Sequence, residues 1–194
     1  MKKGLFGFNV HDIVEIAMFV AIALVLDNFL KIPLGASGGS INLAVLPLVL
    51  LALRHGWFKG FVAGGIIFGF ISCLIDAYGL ITYPLEYFVT FGSIAIVGVF
   101  SKLITDLYSN KKYVLSALLL IGCLLAFSVI RLFAATIDSV LIYEYTFEAA
   151  IIYNLSYVFI SSGAVCVLSV VLLPALIRIN KQFPTSFLKN NHKQ

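Results

Sequence analysis

Six apolar runs fill almost the whole of this chain and leave only short polar joints between them, at roughly 10–30, 43–53, 57–75, 83–103, 113–142 and 149–177. About 20 apolar residues are needed to cross the hydrocarbon layer of a bilayer. Inside that layer each backbone N–H and C=O must be bonded within its own segment, so uninterrupted runs of this length are helices. Hydrophobic residues make up 61% of the chain and charged ones 11%, against about 25% charged in an ordinary soluble domain. We therefore expect an all-α integral membrane protein with six transmembrane helices, forming one membrane domain over residues 1–194. The second run is short for a full crossing.

Lys2 and Lys3 ahead of the first run, with Ala36, Ser37 and Gly38 behind it, give it a superficial likeness to a signal peptide. Its length and its internal Asp12, Glu15 and Asp27 argue instead for a retained span, because a cleaved signal has an apolar core of about 7–15 residues. Cys73, Cys123 and Cys166 all fall inside runs and read as small apolar residues, with no disulfide framework.

The net charge of +4 resolves into a sided pattern and not a nucleic-acid surface. With six crossings, Lys2, Lys3, Arg54, Lys59, Lys102, Lys111, Lys112, Arg178, Lys181, Lys189 and Lys193 share one side, while the other holds only Lys31. By the positive-inside rule that side is cytoplasmic, with both termini, and the protein is a multi-pass component of the cell membrane. The short second run counts as a crossing on the same ground, since omitting it moves Arg54 and Lys59 to the opposite side.

Tyr78, Tyr83, Tyr87, Tyr143, Tyr145, Tyr153 and Tyr157 lie at or near the outer ends of the spans, and only Tyr108 and Tyr113 at the inner face. Any one of them fits an interfacial belt, but a belt is two-sided. The excess points to an aromatic-lined cavity open to the outside. Glu86, framed by Tyr83, Pro84 and Tyr87 inside the fourth run, is a carboxylate that a membrane helix carries only for a partner or a ligand. Arg131 and Asp138 stand seven residues apart in the fifth run; a structural ion pair is one reading, and pairing of Arg131 across helices with Glu86 or Asp76 is another. Asn154 and Ser156 open the sixth run and either bond a neighbouring helix or face the cavity. Glu144 and Glu148 read as solvated loop residues.

Gly60/Gly64 and Gly65/Gly69 have the four-residue spacing of closely packed membrane helices, as do Ala17 and Ala21 in the first run. No Gly-Lys-Ser/Thr ending marks a phosphate loop. His11, His55 and His192 lie at or beyond the cytoplasmic ends, so no His is placed to act as base for an intramembrane nucleophile. No His/Cys/Asp/Glu spacing suggests a metal, and no cofactor is expected. Catalysis is thus disfavoured, and any uphill transport draws on an ion gradient or on another subunit.

The stretch Gly38-Gly-Ser-Ile-Asn-Leu-Ala-Val-Leu-Pro, the Gly-rich third run and Leu85-Glu-Tyr together resemble the substrate-binding S component of energy-coupling factor (ECF) vitamin transporters, most of all the thiamine-specific family. The resemblance covers about residues 10–178 and implies a six-helix S-component bundle with cytoplasmic termini. It implies binding of thiamine or a closely related vitamin or precursor, delivered for ATP-driven uptake through a transmembrane coupling protein and two ATPase subunits. Glu86 and Tyr87 take the place of the family's Glu-Tyr pair, Asn154 that of the Asn in its span-six motif, and Ala17 and Ala21 that of the face docking the coupling protein. A thiazolium cation suits a desolvated carboxylate and tyrosine faces. Tyr78, Tyr83, Tyr143, Tyr157 and Asp138 complete the expected substrate site. The family's pocket tryptophans and span-five His are absent: the one Trp is Trp57, Ala135 and Asp138 stand near the expected His position, and Tyr143 is a candidate replacement for a Trp. A stand-alone ion-coupled carrier using Asp76, Glu86, Arg131 and Asp138 as a charge relay is the competing function.

Overall fold

The computed structural model describes residues 7–33, 39–185 and 187. Lys2, Lys3, Ala36, Ser37, Gly38, Lys189, His192 and Lys193 lie outside the described residues.

Six continuous helices make the bundle: α1 (Val10–Phe29), α2 (Val45–His55), α3 (Trp57–Asp76), α4 (Leu80–Ser109), α5 (Tyr113–Ile142) and α6 (Phe147–Gln182). Among the described residues, the strands are confined to a short antiparallel ribbon between α1 and α2, in which β1 (Ile32–Pro33) pairs with β2 (Ser40–Ile41). Helices α3 to α6 are each long and apolar enough to cross a membrane. Helix α1 is as long as a crossing, and its carboxylates are turned inward: Asp12, Ile16, Val20, Ala23 and Asp27 are buried at helical spacing, while Ile13, Val14, Met18, Ile22 and Val25 face out.

Helix α2 occupies the centre. Val45, Leu48, Val49, Leu51, Ala52 and Leu53 are all at most 2% exposed, so it is enclosed except along the half-buried face of Leu46 and Leu50, as a largely apolar helix should be. At about 1.5 Å per residue its 11 residues reach only about 17 Å, short of the roughly 30 Å hydrocarbon core. The outer faces of α5 and α6 show the reverse of a soluble protein: Val114, Leu118, Leu125, Phe133 and Leu141, then Ile152, Phe159, Val167 and Val171 are exposed. Apolar surface on this scale needs a lipid solvent.

Helices α3 and α4 approach until backbone meets backbone. A Cβ on Gly64 would stand 2.4 Å from the Phe91 carbonyl oxygen, and one on Gly65 3.0 Å from Gly92 Cα. Only glycine permits this approach, which is the packing that small residues at four-residue spacing produce in membranes. Both helices widen into π turns at the contact, Val62–Phe68 in α3 and Tyr83–Val89 in α4. Extra residues per turn re-aim the side chains that follow, a device common at functional sites. Here the re-aimed residues include Glu86 and Tyr87.

At one end of the bundle α1, α2, α3 and the end of α6 are tied by buried charge. Arg54 donates to Glu15 through Nε (2.8 Å) and a terminal nitrogen (2.7 Å), to Asn180 Oδ1 (2.7 Å) and to the Phe183 carbonyl (3.0 Å). Lys59 donates to Asp12 at 2.8 Å, and His55 lies between Asp12 and Glu15. Arg54 and Lys59 were expected as loop cations; the structure buries both, at 3% and 2% exposure, because α1 presents carboxylates to them. This end also holds the start of α1 and the end of α6. The opposite end holds Asp27, Asn42, Asp76, Glu86, Asp138 and Asn154.

Candidate functional site

At that opposite end a partly open cavity lies among α1, β2, α3, α4, α5 and α6. Two of its carboxylates are compensated by the protein. Asp27, from α1, accepts from Asn42 Nδ2 at 2.9 Å and from Ser72 Oγ at 3.3 Å, which ties α1 to the segment after β2 and to α3. Asp76, at the end of α3, accepts from the Tyr87 hydroxyl at 3.0 Å and from Lys31 at 3.3 Å. Ala77, at φ 58°, then turns the chain out of α3 and toward α4.

The remaining three charges have no such satisfaction. Glu86, in the π turn of α4, has no hydrogen bond or ion pair to another described residue. Asp138 on α5 is 2% exposed and its Oδ1 lacks a partner. Arg131, about two turns away along the same face of α5, is 5% exposed and its Nε likewise lacks one. Neither expected cross-helix pair forms: Asp76 is taken by Lys31 and Tyr87, and Arg131 makes no ion pair among the described residues. Its guanidinium lies instead over the rings of Phe91 (6.0 Å to the centroid) and Tyr157 (5.8 Å), a cation–π arrangement.

Asn154 is fixed on both sides. It donates to Ser139 Oγ at 3.2 Å and accepts from the Tyr157 hydroxyl at 2.8 Å, so Tyr157 is locked in orientation while its ring flanks Arg131. Tyr153 packs edge-on against Tyr157 at 5.7 Å and its hydroxyl accepts from the Gly39 N–H at 2.8 Å, closing α6 onto the ribbon. Tyr143 and Tyr145 stand at the rim with centroids 6.4 Å apart. Partial burial beside Asp138 and Glu86 pushes the Tyr143 phenol up to about 12, so it remains a donor throughout the physiological range.

Of the residues singled out by sequence, Glu86, Tyr87, Asn154, Tyr78, Tyr143, Asp138 and Tyr157 all line this cavity. Tyr83 does not: its hydroxyl donates to the Gly65 carbonyl at 3.1 Å and its ring packs on Phe70. Ala17 and Ala21 lie on the exposed face of α1, in an apolar groove with Phe8, Ile13, Leu24, Ile67 and Ile71. Sequence reasoning left out Asp27, Asn42, Phe91 and Ser139, which also line the cavity. Asp27 carried a signal, as a carboxylate within an apolar run. Phe91 carried none.

A family model described as "Thiamine transporter protein (Thia_YuaJ)" matches residues 13–184. No curated protein matches the chain. Among solved structures, ThiT from Listeria monocytogenes is similar at 24% identity, covering 92% of this chain and 97% of that one with a TM-score of 0.68. At this identity the likeness concerns the fold, a helical membrane bundle.

Proposed function

This chain belongs to the thiamine transporter protein family, and from that membership we propose that the cavity around Glu86 captures thiamine, or a cation closely related to it, from outside the cell. The observation that carries the reading is the imbalance of charge within the cavity. With Asp76 satisfied by Lys31 and Asp27 by hydrogen bonds, Glu86 and Asp138 face a single Arg131. The four lining carboxylates against Lys31 and Arg131 leave a surplus of two negative charges, which the positive charge of a ligand reduces. Tyrosines at the rim supply faces for a cationic ring, and Tyr143 keeps a hydroxyl to donate. In this reading Glu86 contacts the cation, with Tyr87, Asn154, Tyr78, Tyr143, Asp138 and Tyr157 around the rest of the ligand. Tyr83 contributes by holding α4 against α3.

We further propose that the captured vitamin is delivered with an ECF module, a transmembrane coupling protein and two ATPases, and that the exposed Ala17/Ala21 groove of α1 docks the coupling protein. Both termini are then cytoplasmic, with the ion cluster of Arg54 at the inner end, and all six helices belong to one membrane domain. Uptake into proteoliposomes tests this. Transport is expected only when the ECF module and ATP are present, and replacing Ala17 by Trp should abolish it while thiamine binding persists. Uptake by the chain alone, driven by an ion gradient, would contradict the coupling.

A further inference from the structure

Arg131 is the cavity residue that a cationic ligand alone does not explain. It is nine-tenths buried, its Nε has no partner, and the protein holds it over two rings although Glu86 and Asp138 line the same space. Keeping a buried guanidinium apart from available carboxylates is costly unless something else accepts its hydrogen bonds. A guanidinium has five donors and no acceptor, so whatever completes it must be a hydrogen-bond acceptor.

We infer that Arg131 reads an acceptor edge on the uncharged ring of the bound vitamin, a ring nitrogen in the plane of the guanidinium, while Glu86 holds the cationic end. This rests on the proposed capture of a thiamine-like cation and adds a specificity-determining residue to it. Two observations choose a neutral ring nitrogen over an anionic group. Phe91 and Tyr157 flank the guanidinium, so a flat ring lying edge-on to Arg131 continues between them. The four lining carboxylates, Asp27, Asp76, Glu86 and Asp138, also oppose any second negative charge, so a phosphate ester of the same vitamin should bind worse than the free alcohol.

The test couples a change in the ligand to a change in the protein. Thiamine, its two pyridine analogues in which one or the other ring nitrogen is replaced by C–H, and thiamine monophosphate are titrated against the purified full chain and its Arg131→Met and Arg131→Lys variants. Hydrogen bonds to charged groups imply a loss of roughly 10- to 150-fold when the acceptor is removed. One pyridine analogue should therefore bind the native chain that much more weakly, and Arg131→Met should weaken thiamine similarly while changing that analogue less than about threefold. Arg131→Lys should fall between. Equal losses for thiamine and both analogues on mutation would mean that Arg131 only supports the fold, and would overturn the inference. Tighter binding of the monophosphate than of thiamine, lost in Arg131→Met, would overturn the neutral acceptor in favour of an anionic one. The ligand arm needs no variant to fold: if both analogues bind the native chain as well as thiamine does, the inference fails while capture of the cation stands. Absence of binding by thiamine and all its analogues would refute the underlying function instead.

Discussion

Replacing Arg54 by Met removes the centre of the buried charge cluster at the inner end while keeping most of the side chain's length. Arg54 is 3% exposed and makes four hydrogen bonds, two to Glu15, one to Asn180 and one to the Phe183 carbonyl. Met makes none of them. The principal cost is the charge left behind, since Glu15 then keeps only His55 and the more distant, exposed His11. Removing one partner of a fully buried pair costs about 3–5 kcal/mol, and solvent reaching the partly exposed Glu15 lowers this to about 2–3 kcal/mol. For a chain of this size that corresponds to a fall in melting temperature on the order of 10 °C. Thermal unfolding of the detergent-solubilised protein measures it. A second variant isolates the cause: Glu15→Gln in the Arg54→Met background removes the orphaned charge and should recover about 1–3 kcal/mol relative to the sum of the single changes. A loss below about 1 kcal/mol for Arg54→Met, as exposed pairs give, or strict additivity in the double variant, would refute the reasoning. Ligand affinity should change little, because the cluster lies at the end of the bundle away from the cavity.

Three further outcomes follow from the cavity and its supports. Gly64→Ala places a methyl group 2.4 Å from the Phe91 carbonyl oxygen, so α3 and α4 must separate; we expect about 1–3 kcal/mol of destabilisation and weakened ligand binding, read by thermal unfolding and titration. Tyr87→Phe deletes the 3.0 Å bond to the Asp76 carboxylate and should cost about 1.5–3 kcal/mol, toward the lower end because Lys31 still holds Asp76. The Tyr143 phenol ionises at about 12 in the folded chain against about 10 when unfolded, so the unfolded state releases its proton first. Its contribution to stability is full below about pH 10 and falls as pH rises toward 12. The ultraviolet difference spectrum between the native protein and Tyr143→Phe should accordingly show no phenolate from this residue at pH 10.

The helices were legible because lipid forces them: long apolar runs announce α3 to α6, and the inward carboxylates of α1 follow its helical period. The Gly64, Gly65 and Gly69 contacts were legible for the same reason, since small residues at that spacing have one main use in a membrane helix. What escaped is what depends on distant partners. Helix α2 reads as a short crossing, yet its burial at the centre of the bundle is visible only in three dimensions. Asp12 and Lys59, 47 residues apart, and Glu15 and Arg54, 39 apart, are individually odd charges whose pairing no periodicity reveals. Tyr83 and Tyr87 share a face at helical spacing, yet the Tyr83 hydroxyl reaches the Gly65 carbonyl and the Tyr87 hydroxyl reaches Asp76, distant partners that no local pattern reveals. Arg131 was expected to find a carboxylate, and the rings of Phe91 and Tyr157 hold it elsewhere.

The central claim is that Glu86 anchors a ligand's positive charge. Titration of the purified protein with thiamine and with its neutral analogue, in which the charged ring nitrogen is replaced by carbon, tests it most directly when repeated on Glu86→Gln. A charge-assisted contact in a desolvated site predicts a preference for thiamine of roughly 10- to 150-fold in the native chain, abolished in Glu86→Gln by loss of affinity for thiamine alone. Equal affinity of the native chain for the charged and neutral forms, or a preference that survives in Glu86→Gln, would contradict it.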